Sequence, residues 1–216
     1  IQALCARRRR QVASRRDEVT ACLVGYTNAG KSTLMNALTD AGVYVADKLF
    51  ATLETRTRTC DLGEGQKILL SDTVGFIRHL PHHLVASFRA TLEEAIHADL
   101  LLHVADASSP EVDQHIAAVN DVLKQLGAAE RPTLLLLNKI DRFDVHDQAL
   151  LEQLKDRYPE ALAISAQAGI GMEHLLDVVD TRVRGEQRRM SLSIPAKDGK
   201  ALNFIERFAE IVDRQY

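Results

Sequence analysis

The residues with the clearest chemical meaning form a glycine-rich stretch that ends in lysine and serine. Residues 25–32 read Gly-Tyr-Thr-Asn-Ala-Gly-Lys-Ser, the pattern G-x-x-x-x-G-K-S. In such a loop the backbone N–H groups surround nucleotide phosphates, the lysine reaches the β- and γ-phosphates, and the serine hydroxyl binds Mg²⁺. The predicted nucleotide contacts are Tyr26, Thr27, Asn28, Ala29, Gly30, Lys31, Ser32 and Thr33.

The segments on either side of this loop support the same interpretation. An apolar run at residues 21–24 predicts a buried strand, and residues 32–38 have the character of a helix. A phosphate site needs a strand before the loop and a helix N-terminus after it, because the helix dipole adds positive charge there. The alternative is a glycine-rich strand–helix turn that matches the pattern by chance, and the presence of both flanking elements favours the phosphate loop over it.

A second motif, Asp-Thr-Val-Gly at residues 72–75, follows the strand predicted at 67–71. Ligands of open α/β sheets bind beyond the carboxyl ends of the strands, so Asp72 falls where a metal partner of the loop belongs. Its carboxylate would hold Mg²⁺ through water, and Gly75, which lacks a Cβ, would bring its N–H close to a γ-phosphate. Alone the motif indicates only a turn, but behind a phosphate loop it predicts a metal site.

A third motif, Asn-Lys-Ile-Asp, begins at Asn138 and predicts which base is bound. The Asp141 carboxylate can accept two hydrogen bonds from guanine, whose edge carries a ring N–H and an amine, whereas adenine is mismatched. Asn138 would brace the loop, and the stem of Lys139 would pack over the ring. After the next predicted strand, Ser165 and Ala166 would present backbone N–H groups to the guanine carbonyl oxygen.

Strand-like and helix-like segments alternate along most of the chain. Strands are predicted at residues 19–24, 57–62, 67–71, 100–105, 133–137 and 161–164, and helices at 30–39, 84–98, 112–126, 147–157 and 171–184. This alternation predicts an α/β fold with a doubly wound, mainly parallel sheet, in which the hairpin at 57–71 supplies one antiparallel edge strand. His103, inside an apolar strand, is predicted to lie in the core or at a sheet edge.

Composition narrows the class of protein further. The chain of 216 residues is 46% hydrophobic, enough for one good core, and its net charge of −3 gives no overall attraction to nucleic acid or membrane. No apolar run approaches the roughly 18 residues of a membrane span. The three cysteines, Cys5, Cys22 and Cys60, are few and widely spaced, which favours buried thiols in a reducing cytoplasm over disulfides or a zinc site.

In this order, the motifs resemble those of the translation-factor class of P-loop GTPases. More narrowly, the chain resembles the HflX family of ribosome-associated GTPases, in the Obg/Era group. The closer resemblance rests on residues 25–33, on Leu-Phe-Ala-Thr-Leu at 49–53, and above all on the stretch at 72–85, which residues 87–94 continue. That stretch reads Asp-Thr-Val-Gly-Phe-Ile-Arg-His-Leu-Pro-His-His-Leu-Val. The resemblance implies a GTPase that binds GTP or GDP with Mg²⁺.

The resemblance also implies a first switch loop at residues 49–59. There Thr52 would close on Mg²⁺ and the γ-phosphate when GTP is bound. Thr55 is the alternative, because the family usually has Asp-Pro where this chain has Glu54 and Thr55. The predicted catalytic residues are Lys31, Thr52 and Gly75, and the predicted Mg²⁺ ligands are Ser32, Thr52 and Asp72.

Phe76 sets an expectation for the rate of hydrolysis. In Ras-like enzymes the position after the equivalent glycine holds a Gln that orients the attacking water. A phenyl ring can neither donate nor accept, so hydrolysis by this chain alone is predicted to be slow. Help would come from the large ribosomal subunit or from K⁺, because Asn28 stands at the loop position that coordinates K⁺ in related GTPases. The alternative is that Asn28 only braces the loop.

The resemblance implies that this chain is part of a longer protein with an upstream domain that contacts the ribosome. Residues 1–18, which carry two arginine runs, would be the basic, helical trailing edge of that domain, serving either as an RNA contact or as a solvated helix. Residues 19–187 would be the GTPase domain. Residues 188–216 would be a small or truncated module with a strand at 190–195 and a helix at 199–212.

The function implied by the resemblance is association with the large ribosomal subunit and its RNA. A monomeric cytoplasmic protein would there split or rescue stalled ribosomes under stress. Two alternatives remain open: another Obg/Era-group GTPase, acting in ribosome maturation or tRNA modification, and a nucleotide-gated switch with negligible turnover of its own. An ATP-specific enzyme would leave Asp141 unexplained.

Overall fold

The computed structural model describes most of the chain. The described residues are 19–39, 56–63, 66–73, 75, 95–144, 147–184, 191–195, 198–208 and 213. Contacts divide the chain into two compact units, Glu18–Val183 and a second one to which the described residues from Arg184 onward belong. The described parts of the three nucleotide-binding motifs all lie in the first unit.

A six-stranded sheet forms the centre of the first unit. Its strands are β1 (Thr20–Gly25), β2 (Arg56–Gly63), β3 (Gln66–Asp72), β4 (Leu100–Asp106), β5 (Thr133–Asn138) and β6 (Leu162–Ala163). The strand order is β2-β3-β1-β4-β5-β6, in which β2 runs antiparallel to β3 and every other neighbouring pair is parallel. The predicted doubly wound sheet with one antiparallel edge strand is confirmed.

Helices follow the strands as the hydrophobic periodicity predicts. They are α1 (Lys31–Thr39), α2 (Val112–Gln125), α3 (Gln148–Arg157) and α4 (Met172–Arg184), with a short 3₁₀ turn at Ile140–Arg142. Residues 95–97 are also helical, which is the described part of the helix predicted at 84–98. Among the described residues no helix is both long and apolar enough to cross a membrane.

The central strand β1 is buried on both faces, which explains its nearly continuous apolar sequence. On one face Leu23 belongs to a cluster with Leu34 of α1 and Leu175 of α4. On the other face Val24 packs in a cluster with Val119 of α2. Each fully buried aliphatic side chain contributes about 1.5–3 kcal/mol, so the layers on both sides hold the carboxyl end of β1 in a fixed place.

His103 confirms the prediction of a core position in β4, since only 2% of the residue is exposed. Burial lowers its pKa from 6.5 to about 4, and the positive charge of Lys31 acts in the same direction. The imidazole therefore stays neutral at physiological pH. It lines a cavity of about 390 Å³ together with Ile116, Leu123 and Arg131, among others.

The second unit differs from the prediction in one element. Residues 191–195, part of the strand expected at 190–195, have no strand conformation. A strand needs a partner to pair with, and no described strand pairs with this segment; Pro195 also lacks the N–H that a ladder requires. The predicted helix is confirmed as α5, Gly199–Phe208, whose first turn is capped by Asp198 through an Ala201 N–H···Oδ1 bond of 3.0 Å.

Candidate nucleotide site

The glycine-rich loop joins the end of β1 to the start of α1, and two glycines are required by close approaches. A Cβ on Gly25 would lie 2.2 Å from the carbonyl oxygen of Val104, and one on Gly30 would lie 2.3 Å from Nδ2 of Asn138. Gly30 also has a φ of 98°, a left-handed conformation that side chains other than glycine rarely adopt. The loop therefore packs tightly against β4 and β5, which explains the spacing of its glycines.

Lys31 begins α1 and turns its ammonium back over the loop. Its Nζ donates to the carbonyl oxygens of Gly25 at 3.0 Å and of Tyr26 at 2.9 Å. The residue is only 7% exposed, and burial lowers the pKa of this amine from 10.5 to about 8, while the carboxylate of Asp72 acts in the opposite direction. The site thus contains a buried ammonium group that donates hydrogen bonds to two backbone carbonyl oxygens.

Backbone N–H groups at the N-terminus of α1 belong to the same phosphate site. The first intrahelical bond runs from the Leu34 N–H to the Gly30 carbonyl oxygen at 2.9 Å. As in every α-helix, the N–H groups of the first turn have no intrahelical acceptor and point out of the helix N-terminus, where they favour an anion. Lys31, Ser32 and Thr33 lie in this first turn, and their contacts with a nucleotide stay predictions.

Ser32 and Asp72 bring two hard oxygen ligands together. The Ser32 hydroxyl donates to Oδ2 of Asp72 at 2.8 Å, because β3 lies beside β1 in the sheet and ends at the aspartate. The next residue, Thr73, is anchored by its own hydroxyl, which donates to the Leu23 carbonyl oxygen at 2.6 Å. A serine hydroxyl and a carboxylate are the donor chemistry that Mg²⁺ prefers, so the pair fits the predicted metal site.

Gly75 lies against the loop. A Cβ at this position would be 2.9 Å from the Cα of Thr27 and 3.0 Å from the Nζ of Lys31. Only a hydrogen atom fits in that space, so the glycine of the second motif is a requirement of packing. The structure therefore brings Gly75 next to the lysine, and its predicted approach to a γ-phosphate stays a prediction.

Asn138 connects the third motif to the loop. Its Nδ2 donates to the Ala29 carbonyl oxygen at 2.8 Å, and its Oδ1 accepts the Ala166 N–H at 3.0 Å. The side chain is fully within the protein, with 2% of the residue exposed. The predicted bracing role of Asn138 agrees with these contacts, which join three segments that are distant in sequence.

Asp141 is held by the loop that follows β6. The Ser165 hydroxyl donates to Oδ1 of Asp141 at 2.5 Å and accepts the Ala168 N–H at 3.0 Å. The prediction for the amides needs correction, because the Ser165 N–H donates to the Ile170 carbonyl oxygen at 2.9 Å. The Ala166 N–H lies at the site but is engaged by Asn138, so a guanine carbonyl would have to share it. Ser165 acts here through its side chain.

Asp106 is a site residue that the motifs did not predict. It ends β4 at the same edge of the sheet as Asp72 ends β3, and its Oδ2 lies 2.6 Å from the Nζ of Lys139. The same ammonium donates to the Asn28 carbonyl oxygen at 2.6 Å. The signal that would have found Asp106 is its place at the carboxyl end of a buried strand, the rule that identified Asp72.

The ring of Tyr26 packs against the helix α2. It stacks on His115 of α2, with ring centroids 4.0 Å apart and planes inclined by 13°. The Nε2 of His115 lies 3.5 Å from a carboxylate oxygen of Glu111. The side chain of Tyr26 therefore packs the loop against α2, and its predicted contact with a nucleotide stays a prediction.

Several predictions concern residues outside the described part of the chain. These are the switch threonines Thr52 and Thr55, the Phe76 that replaces glutamine, Cys5, and the basic segment at 1–18. Their roles stay predictions. The two described cysteines, Cys22 and Cys60, are buried thiols, as the sequence predicts.

Comparison with known proteins agrees with this site. The family profile described as "50S ribosome-binding GTPase" matches residues 20–139. The GTPase HflX of Magnetococcus marinus is 48% identical over 194 residues, which cover 90% of this chain and 44% of that protein. The GTPase HflX of Escherichia coli K12 is 46% identical over 88% of this chain and 45% of that protein. The chain therefore spans less than half the length of these relatives.

A solved structure supports the same assignment. The crystal structure of a GTP-binding protein from the hyperthermophilic archaeon Sulfolobus solfataricus in complex with GDP matches with a TM-score of 0.62 and 28% identity. The match covers 86% of this chain and 59% of the archaeal one. With the family profile covering more than half of its residues, the chain belongs to this GTPase family and, within it, to the HflX GTPases.

Proposed function

We propose that this chain binds GTP and hydrolyses it to GDP and phosphate. The observation that carries the proposal is the convergence of three distant motifs at one edge of the sheet. Asn138 reaches Ala29 of the loop at 2.8 Å, and Ser32 reaches Asp72 at 2.8 Å. These contacts support a site in which a phosphate loop, a metal-ligand pair and a base-recognition residue would act together.

On the phosphate side, Lys31 is the proposed electrostatic catalyst. Its ammonium would exchange the carbonyl oxygens of Gly25 and Tyr26 for oxygens of the β- and γ-phosphates, which are stronger acceptors. The N–H groups of the first turn of α1 would hold the remaining charge, and the Gly75 N–H would approach the γ-phosphate. Water would attack in line while these groups stabilise the charge that develops on the leaving oxygen.

Ser32 and Asp72 are the proposed Mg²⁺ ligands, with Thr52 joining when GTP is bound. The fit rests on the hydroxyl–carboxylate pair that the structure holds at 2.8 Å. Mg²⁺ held by these residues would neutralise negative charge on the phosphates. Asp72 is held in place by the sheet, because it is the last residue of β3 and pairs in register with Leu23 of β1.

On the base side, Asp141 is the proposed guanine selector. Its carboxylate would accept the ring N–H and the amine of guanine, and the Ser165 hydroxyl at 2.5 Å holds it in position for this. The stem of Lys139 would cover one face of the ring. Adenine offers the opposite pattern of donors and acceptors at this edge, so GTP and GDP are the proposed ligands.

Hydrolysis by the chain alone is proposed to be slow, because Phe76 cannot orient water. K⁺ bound by Asn28 is the proposed assistant. Asn28 is exposed at the tip of the loop, and its carboxamide makes no hydrogen bond with any residue that the structure describes. A carboxamide in this state is available to a cation near the phosphates. The competing role, a brace for the loop, is filled in the structure by the backbone carbonyl of Asn28, which accepts from Lys139.

For the whole protein we infer a cytoplasmic GTPase that binds the large ribosomal subunit and its RNA. The inference rests on the HflX relatives and on the family described as ribosome-binding. Splitting or rescue of stalled ribosomes under stress is the proposed task. The proposed layout keeps residues 19–187 as the GTPase domain of a monomer, 1–18 as the edge of an upstream domain and 188–216 as a small module. An Obg/Era-group role in ribosome maturation or tRNA modification and a switch without turnover are the alternatives.

GTP turnover measured in K⁺ and in Na⁺, with and without large ribosomal subunits, tests this proposal. We expect phosphate release that rises with K⁺ or with subunits and that is lost in Lys31→Ala, whereas the exposed Lys67→Ala keeps it. If wild-type turnover in the presence of K⁺ and large subunits is no higher than that of Lys31→Ala, the chain does not hydrolyse GTP. Only the alternative of a switch without turnover would then remain. The full-length protein must also respond to subunits; if it does not, the ribosomal assignment is wrong.

Asn28 has its own matched control. Asn28→Ala should lose the difference in turnover between K⁺ and Na⁺, because it removes the carboxamide that would hold the cation. Asn120→Ala, on the exposed side of α2, should keep the difference. A K⁺ effect that survives in Asn28→Ala assigns the cation to other ligands.

A further inference from the structure

Asp106 uses both oxygens of its carboxylate in a fixed network at the end of β4. Oδ1 accepts the N–H of Ser108 at 3.0 Å and its hydroxyl at 2.6 Å. Oδ2 accepts the ammonium of Lys139 at 2.6 Å. The Lys139 and Asp106 side chains are only 19% and 18% exposed, so water screens this ion pair less than a surface pair. Ser108 thus holds one oxygen of the carboxylate, and the other oxygen accepts the ammonium of Lys139.

Lys139 connects Asp106 to the phosphate loop. Its ammonium also donates to the Asn28 carbonyl oxygen at 2.6 Å. Asn28 has a φ of 61° and Lys139 a φ of 69°, and in the described part of the chain they are the only residues other than glycine with a left-handed backbone. Such conformations are sparsely populated, so each needs support from surrounding contacts. The ammonium held by Asp106 links both of them.

We propose that Asp106 is a positioning residue for the guanine nucleotide. Its carboxylate fixes the ammonium of Lys139 at the loop, so that the aliphatic stem of the lysine is held for the face of the base. Without that negative charge, Lys139 would lose its only carboxylate partner in the described part of the chain and exchange the contact for water. The proposal rests on the proposed function, because it assigns Lys139 a place in base binding.

This role predicts how the affinities for GTP and for GDP change when Asp106 is replaced. GTP and GDP share the base and differ only in the γ-phosphate, so a residue that positions Lys139 for the base should affect both affinities by the same factor. A residue that acted on the metal or on the γ-phosphate would affect GTP more. Equal weakening of both ligands is therefore the pattern that identifies Asp106.

Asp106→Asn is the direct test. The amide keeps the size of the side chain and an oxygen for Ser108, but it removes the charge that attracts Lys139. Dissociation constants for fluorescently labelled GDP and GTP should each rise about tenfold, the loss expected for one charge-assisted hydrogen bond. Asp121→Asn makes the same change of charge on the exposed side of α2 and should leave both constants unchanged.

A double-mutant cycle separates positioning from a general loss of stability. If Asp106 acts through Lys139, then Asp106→Asn combined with Lys139→Met should bind GDP no more weakly than Lys139→Met alone. Losses that multiply in the double variant would overturn the proposal, as would wild-type affinity in Asp106→Asn or weakening of GTP only. A wild-type chain that binds neither nucleotide overturns this proposal and the proposed function together, whereas normal wild-type binding with an unaffected Asp106→Asn overturns the role of Asp106 alone.

Discussion

Lys31→Met should stabilise the nucleotide-free protein while it abolishes nucleotide binding. The pKa of the buried amine is about 8 in place of 10.5, which means that keeping the charge inside the protein costs about 3 kcal/mol at neutral pH. Methionine has a similar shape and no charge, so the substitution removes this cost. It also removes the donors to Gly25 and Tyr26, although the Tyr26 carbonyl oxygen keeps the Ala29 N–H at 3.3 Å. Loss of the two hydrogen bonds costs about 1–2 kcal/mol and so offsets part of the stability gained by removing the charge.

The expected result is a free energy of unfolding about 1–2 kcal/mol higher for Lys31→Met at pH 7, measured by urea unfolding without nucleotide. Because the folded-state pKa is lowered, the cost is fully present below pH 8 and disappears as the pH rises toward 10.5, where the unfolded chain also loses the proton. The advantage of the variant should therefore shrink across that interval. Lys67→Met, at an exposed position, should show neither effect. A variant that is less stable than wild type, or an advantage that does not depend on pH, would refute the reasoning.

Two further predictions follow from the close packing around the site and in the core. Gly75→Ala places a Cβ 2.9 Å from the Cα of Thr27, so it should lower GTP turnover at least about tenfold, as misplaced groups in an active site do. The control Gly199→Ala, whose Cβ meets nothing within 4 Å, should keep the wild-type turnover. Equal turnover in the two variants would contradict the packing argument. The pKa of His103 falls from 6.5 to about 4, so urea unfolding should show a loss of about 3 kcal/mol as the pH falls through that interval. His103→Gln should remove this dependence and the exposed His174→Gln should keep it, and identical pH profiles for both variants would show that His103 is not its source.

Much of the fold and of the site could be predicted because local rules determine them. The glycines of the loop are required by approaches of 2.2 and 2.3 Å to neighbouring segments, and Asp72 ends a strand beside β1. Alternation of strands and helices gave the parallel sheet, since a parallel pair needs a crossover between its strands. In each case a local rule or the order of the strands determines the contact, so a pattern of residue types is enough to predict it.

The features that escaped prediction depend on side chains brought together by the whole fold. Asp106 meets Lys139 only because β4 and β5 end side by side, and Tyr26 meets His115 only because α2 packs next to the loop. The Ser165 amide is used by Ile170, a bridge that no motif encodes. The sequence predicts a strand at residues 190–195, but a strand also requires a neighbour with which to pair, and residues 191–195 have no strand conformation.

Base recognition by Asp141 is the central claim, and nucleotide titration of the wild-type chain and of Asp141→Asn tests it most directly. The wild-type chain should bind GDP at least about 100-fold more tightly than ADP or xanthosine diphosphate, because unpaired polar groups at the base edge are penalised strongly. In Asp141→Asn the amide can donate to the carbonyl that xanthine carries in place of the amine, so xanthosine diphosphate should become the preferred ligand. Equal wild-type affinity for ADP and GDP, or an unchanged preference for guanine in the variant, would contradict the account.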